Sequence, residues 1–98
     1  MSKRDEYVEG LKAQIDRWNA DMARWEKDAA AARADLRKKY DEQLKVVRAQ
    51  REKALYQLRL VQDASAAAWT DLTRGADEAA HQLKEAMAQA AKHFTKQP

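Results

Sequence analysis

The sequence predicts an all-α protein: one long, nearly continuous helix that forms an oligomeric coiled coil, with an antiparallel dimer or four-helix assembly favoured. Three observations carry this expectation. No proline occurs between Ser2 and Gln97, and Gly10 and Gly75 are the only glycines. Apolar residues recur every three or four positions along that whole span, the spacing of one helix face. At 98 residues, with 36% charged and 7% aromatic side chains, a lone helix cannot bury its own stripe, so a partner chain is the expected remedy.

The helix has a marked start. Ser2 and Asp5 have the spacing of a capping box, although Asp reaches less far than Glu. Asp5 and Glu6 lie in the first turn, where the helix dipole favours negative charge. Lys92, His93 and Lys96 give the far end the basic residues that a last turn prefers, and Pro98 follows.

A heptad segment spans 8–36. Val8, Ile15, Met22, Ala29 and Leu36 occupy a positions, and Leu11, Trp18, Trp25 and Ala32 occupy d positions. A segment with an eleven-residue repeat follows over 36–94. Leu36, Val47, Leu58, Trp69, Ala80 and Ala91 form one stripe; Val61, Leu72, Leu83 and Phe94 a second; Ala54, Ser65, Ala76 and Met87 a third. Arg37, Arg48 and Arg59 are each followed four residues later by Asp41, Glu52 and Asp63, a base-before-acid order in which each pair contributes about 0.2–0.3 kcal/mol. Seven residues per two turns demand a left-handed supercoil and eleven per three turns relax it, so a change of twist is expected near 36–44. Thr73-Arg74-Gly75 is the weakest point for continuity, since a mid-helix Gly costs about 1 kcal/mol relative to Ala. Without a turn cluster there, continuity across residues 1–98 is expected.

The expected intermolecular seam comprises Val8, Leu11, Ile15, Trp18, Met22, Trp25, Leu36, Leu44, Val47, Leu55, Leu58, Trp69, Leu72, Leu83, Met87 and Phe94. Bulky tryptophans need small partners. An antiparallel register whose paired numbers total about 99 sets Trp18 on Ala80, Trp25 on Gly75, Trp69 on Ala29, Leu44 on Leu55 and Leu11 on Met87. It also lays a heptad half against an eleven-residue half and one basic middle against another. A parallel dimer suits Val8, Leu11 and Ile15 locally. A hairpin within one chain would need a turn near Ala49-Gln50-Arg51, where no turn former stands.

Charge is modest overall at +3 but concentrated. Residues 33–59 hold nine basic side chains against four acidic ones, which could draw nucleic acid, anionic lipid or an acidic partner, or simply form a solvated face laced with ion pairs. The chain has no cysteine, hence no disulfide framework and no thiolate metal site. No apolar h-region follows Lys3 and Arg4, and no stretch approaches the roughly 18 uncharged apolar residues of a membrane span. A cytoplasmic location is the expectation.

Chemical signals are sparse. His81 and His93 do not share a face. Glu78 and His81 have the E-x-x-H spacing of carboxylate-bridged metal sites in bundles, but both lie off the apolar band and read as a polar surface pair. Ser65 falls on the apolar stripe with no base to activate it, and reads as a small polar core residue. Tyr7, Tyr40 and Tyr56, with the tryptophans, could stack on bases, yet Trp18, Trp25 and Trp69 have core spacing and no nucleic-acid motif accompanies them. No catalytic residue, metal, cofactor, small-molecule substrate or nucleic-acid partner is expected. The rival to a protein partner is an anionic lipid or granule surface, bound through the amphipathic C-terminal third that carries Trp69, Leu72, Leu83, Met87 and Phe94; its alanine content weakens lipid insertion.

Two stretches carry a family resemblance. Residues 1–20, Met-Ser-Lys-Arg-Asp-Glu-Tyr-Val-Glu-Gly-Leu-Lys-Ala-Gln-Ile-Asp-Arg-Trp-Asn-Ala, and residues 64–76, Ala-Ser-Ala-Ala-Ala-Trp-Thr-Asp-Leu-Thr-Arg-Gly-Ala, resemble a family of small bacterial coiled-coil stress-response proteins. The Ala-Trp-x-Asp-Leu-x-x-Gly piece is the distinctive part, and Thr70 and His81 depart from the more acidic or aromatic residues expected there. The resemblance implies a cytoplasmic, non-enzymatic protein of poorly defined molecular activity, with no catalytic residues to carry over. The eleven-residue period is similar, as a pattern only, to desiccation-stress proteins and exchangeable lipid-binding helices. Together these readings lead to a self-associating coiled-coil protein with a structural or stress-protective role.

Overall fold

A computed structural model describes residues 3–94. The chain forms three helices, α1 (Lys3–Ala31), α2 (Ala34–Gln62) and α3 (Trp69–Phe94), folded up, down and up into a bundle of 51 × 20 × 17 Å. The expected single continuous helix is therefore replaced by three. A helix of this sequence left straight would hold its stripe in water; folding back covers the stripe with the chain's own residues. Each large apolar side chain so buried contributes about 1.5–3 kcal/mol. The Ser2 cap, Lys96 and Pro98 lie outside the described residues.

The first reversal takes two residues, Ala32 and Arg33, directly before the 36–44 segment in which the repeats predict a change of twist; α2 runs through that segment unbroken. Arg33 leads into α2 with φ −65° and ψ 158° and makes no side-chain capping bond. Its carbonyl accepts from the Arg37 amide at 2.8 Å, and the Ala32 amide donates to the Ala29 carbonyl at 3.2 Å. The last carbonyls of α1 lack helical partners. Arg37 supplies one, its guanidinium donating to the carbonyls of Ala30 (3.0 Å) and Ala32 (3.3 Å). It also places positive charge at the negative end of the α1 dipole, where α1 has no basic residue of its own.

The second reversal is longer and more elaborately built. The amide of Asp63, which caps α2, donates back to Arg59, and that of Ala64 to Val61. Ala64 is buried, and its carbonyl accepts from the Arg4 guanidinium of α1. Ser65 starts the turn into α3: the Ala68 amide reaches its carbonyl at 3.1 Å and its Oγ at 3.3 Å. Ser65 is thus an exposed turn residue rather than a core one, consistent with the preference of short hydroxyl side chains for turns.

α2 is the central element. Its pairing with α3 is the most extensive and the α1–α3 pairing the least. Short buried residues, Ala54 on α2 and Ala76, Ala79 and Ala90 on α3, let these two helices approach closely. α3 passes through Gly75 without interruption, and α2 likewise passes through 49–51. α1 reaches α3 through aromatic pairs at both ends of the bundle: Tyr7 edge-on to Trp69 with centroids 5.8 Å apart, and Trp25 stacked on Phe94 at 5.1 Å. Tyr40 stacks on the same Phe94 ring at 4.5 Å, so one aromatic cluster joins all three helices.

Candidate interaction surface

The residues expected to form a seam between chains lie between the helices of one chain. Val8, Ile15, Trp18, Met22, Trp25, Leu44, Val47, Leu58, Leu83, Met87 and Phe94 are buried, and Leu11, Leu55, Trp69 and Leu72 pack against that core half-buried. Leu36 differs, at 40% exposed. The pairing of large against small residues of a second chain is also replaced. Trp25 stacks on Phe94, Trp69 meets Tyr7 and lies 5.8 Å from the Arg4 guanidinium, and Gly75 lies against Gln57. Burial extends to Tyr40, Ala54 and Val61 as well. The spacing that could have identified Tyr40 is its place eleven residues after Ala29.

Eight of the nine basic side chains of residues 33–59 fall into two groups. One group works within the bundle. Arg37 caps α1, Arg48 pairs with Glu26 of α1, and Arg51 donates to the Asn19 side chain at 3.0 Å and contacts Met22 Sδ at 3.6 Å. Arg33 lies 3.6 Å from Asp35. None of the expected i,i+4 pairs (Arg37–Asp41, Arg48–Glu52, Arg59–Asp63) forms among the described residues; Arg48 instead pairs with Glu26 of α1, and Arg37 with carbonyls at the end of α1 and in the link. The other group, Lys38, Lys39, Lys45 and Lys53, makes no ion pair with a described carboxylate.

These lysines share the outer face of α2 with Val46, 48% exposed, and Tyr56, 57% exposed. At 100° per residue, Lys39, Val46 and Lys53 align in one row, with Ala49 and Tyr56 beside it. With Leu36, Val46 and Tyr56 are the large hydrophobics left exposed among the described residues, and all three are on α2. An uncovered apolar side chain among unpaired cations can contact a macromolecular surface without prior rearrangement.

Other polar clusters have structural explanations. The Tyr7 hydroxyl contacts Asp77 Oδ1 at 2.5 Å and donates more distantly toward the Thr73 carbonyl at 3.3 Å. Burial, then the hydrogen bond to Asp77 and its negative charge, push the phenol pKa well above its ordinary value. His81 pairs with Glu85 at 2.9 Å, not with Glu78, and both partners are well exposed. No group of three or more His, Asp or Glu side chains among the described residues is placed to hold a metal ion, and none of the described helices is long and apolar enough to cross a membrane. Trp69, Leu72, Leu83, Met87 and Phe94, expected to face lipid, face the core in this bundle. Comparison of the chain with protein-family models, with curated proteins and with solved structures finds no match.

Proposed function

We propose that this chain is a non-enzymatic, self-associating helical protein of cytoplasmic setting, with a structural or stress-protective role exerted by contact rather than by chemistry. The observation that supports this reading is the distribution of uncovered apolar side chains. Leu36, Val46 and Tyr56 all stand on α2, the helix that already organises the bundle, whereas the large apolar side chains of α1 and α3 go into the core. A second copy is a partner that offers the same side chains in return. Light-scattering mass across a dilution series, with helicity recorded on the same samples, tests it. A helical dimer or tetramer at micromolar concentration is expected; a helical monomer at every concentration would overturn it.

A second reading is favoured by the four lysines that stand without a described carboxylate around Val46 and Tyr56. Such a face fits an anionic surface, including a lipid or granule surface, and moves the lipid contact from the C-terminal third to α2. Flotation with vesicles containing anionic lipid, repeated with Lys39→Glu and Lys53→Glu together, tests it. Salt-sensitive co-flotation that the double variant loses is the expected result; no flotation of the parent chain removes the reading.

A further inference from the structure

The α1–α2 reversal is not encoded locally. Residues 28–35 read Asp-Ala-Ala-Ala-Ala-Arg-Ala-Asp, a run with no glycine and no proline and with the best helix former at five of its eight positions. Arg33 makes no side-chain cap. The second reversal, by contrast, has the Ser65 turn, the buried Ala64 and the Arg4 bond to its carbonyl. The first link is held by what the helices do once packed, not by what its residues prefer.

The helix faces on either side of this link are in phase. Trp25, Leu36, Val47 and Leu58 are spaced by eleven residues, three helical turns. Trp25, Val47 and Leu58 are buried, while Leu36 is 40% exposed. Leu36 shares one face of α2 with Val47 and Leu58; if α1 and α2 were one helix, Trp25 would fall on that face too. The carbonyls of Ala30 and Ala32, now capped by Arg37, would regain backbone partners four residues on.

The register between α1 and α2 shows where two such helices would cross. Glu26 pairs with Arg48, and Asn19 with Arg51. These antiparallel pairings centre on residues 35–37. When α1 of one copy replaces α1 of another in the same register, the two-fold axis therefore passes beside Leu36.

We propose that the self-association occurs by exchange of α1. Residues 3–62 straighten into one helix of about 90 Å, and α1 of each copy packs on α2 and α3 of the other. The Glu26–Arg48 and Asn19–Arg51 contacts re-form between copies, as an exchanged element keeps its native contacts. Leu36 of one copy meets Leu36 of the other at the axis. This inference rests on the self-association reading and specifies its geometry.

The full chain is unfolded in denaturant and refolded over a range of concentrations at high ionic strength, which screens the basic residues that gather at the axis. Mass is then read by light scattering. A dimer whose fraction rises with refolding concentration is expected. Arg33→Pro matches the φ of −65° already present and forbids a helix through the link; it should refold with parental helicity and remain monomeric. Independently, Leu36→Cys should give an interchain disulfide in the dimer several-fold faster than Val46→Cys, a similarly exposed residue ten positions from the axis. A dimer that Arg33→Pro forms equally well, or cysteines that cross-link at equal rates, would overturn the exchange and leave self-association standing. A monomer under every refolding condition would overturn both.

Discussion

The indole of Trp25 lies nearly parallel to the ring of Phe94, with planes 9° apart and centroids separated by 5.1 Å. The pair ties α1 to α3, the two helices that otherwise share the least contact. Phe94 also stacks on Tyr40 from α2, so its ring serves three helices. Phe94→Ala should destabilise the fold by about 3–5 kcal/mol, the range for a buried aromatic truncated to Ala, and red-shift tryptophan emission. Denaturant unfolding followed by fluorescence checks this. Phe94→Leu should lose less, and an Ala variant within about 0.5 kcal/mol of the parent would show that the cluster does not hold the end of α1 in place.

Tyr7 sets a limit at high pH. Its phenol is raised above the ordinary 10.0 by burial first and then by Asp77. In the unfolded chain the phenol ionises near that ordinary value, while in the folded chain it keeps its proton. Its contribution to stability is therefore complete below pH 10 and declines as the pH rises beyond it. Thermal midpoints across pH 8–12 should show this fall, and Tyr7→Phe should flatten it while lowering stability at neutral pH by about 1 kcal/mol through the lost hydrogen bond to Asp77. Parallel pH profiles for the two proteins would refute this role for the phenol.

Gly75 marks a close approach of α3 to α2. A Cβ placed there would lie 2.8 Å from Gln57 Oε1 and 3.5 Å from its Cδ. The obstructing atom is the far end of a flexible side chain, so Gln57 can swing away at small cost. The gain in helix propensity, about 1 kcal/mol, should then dominate, and Gly75→Ala is expected to be neutral to about 0.7 kcal/mol stabilising. Gly10→Ala, where a Cβ meets nothing within 4 Å, should gain up to about 1 kcal/mol. Urea midpoints at unchanged slope measure both; a loss of stability in Gly75→Ala would mean that Gln57 is held.

Arg33→Pro should stabilise the closed bundle as well as block a continuous helix. The native φ of −65° is the value proline imposes, and the Arg33 amide donates no hydrogen bond in the backbone network around the link. Restricting the unfolded chain at a compatible site contributes about 0.4–1 kcal/mol. A higher midpoint with unchanged helicity is expected, and a drop of more than about 1 kcal/mol would show that the link carries strain proline cannot share.

Helix and apolar stripe are both legible in the residue pattern. The three-and-four spacing of Val8, Ile15, Trp18, Met22 and Trp25 marks a buried face, and all five are buried. Periodicity reports which side of a helix leaves water, but not what covers that side; a second chain and the same chain folded back satisfy it equally. The reversal at Ala32–Arg33 is illegible because every residue there favours helix, and what bends the chain is the packing of Trp25, Tyr40 and Phe94 together with the Arg37 cap. The reversal at 63–68 does carry a faint signal, since Asp63-Ala64-Ser65 contains two turn-preferring residues, but Ser65 also fits the eleven-residue stripe.

The α2 surface divides in the same way. The basic excess of residues 33–59 is a property of the sequence alone. Which cations it leaves unpaired is a property of the bundle, because Arg48 and Arg51 reach α1 whereas Lys39, Lys45 and Lys53 do not reach a described carboxylate. The helical state and the apolar face follow from local backbone preference and residue spacing, and so could be read from the residue order alone. Where the helix breaks, which residues face one another and which apolar side chains stay in water were set by the packing of the three helices. Those outcomes depend on contacts between residues far apart along the chain, whose energies no local pattern contains.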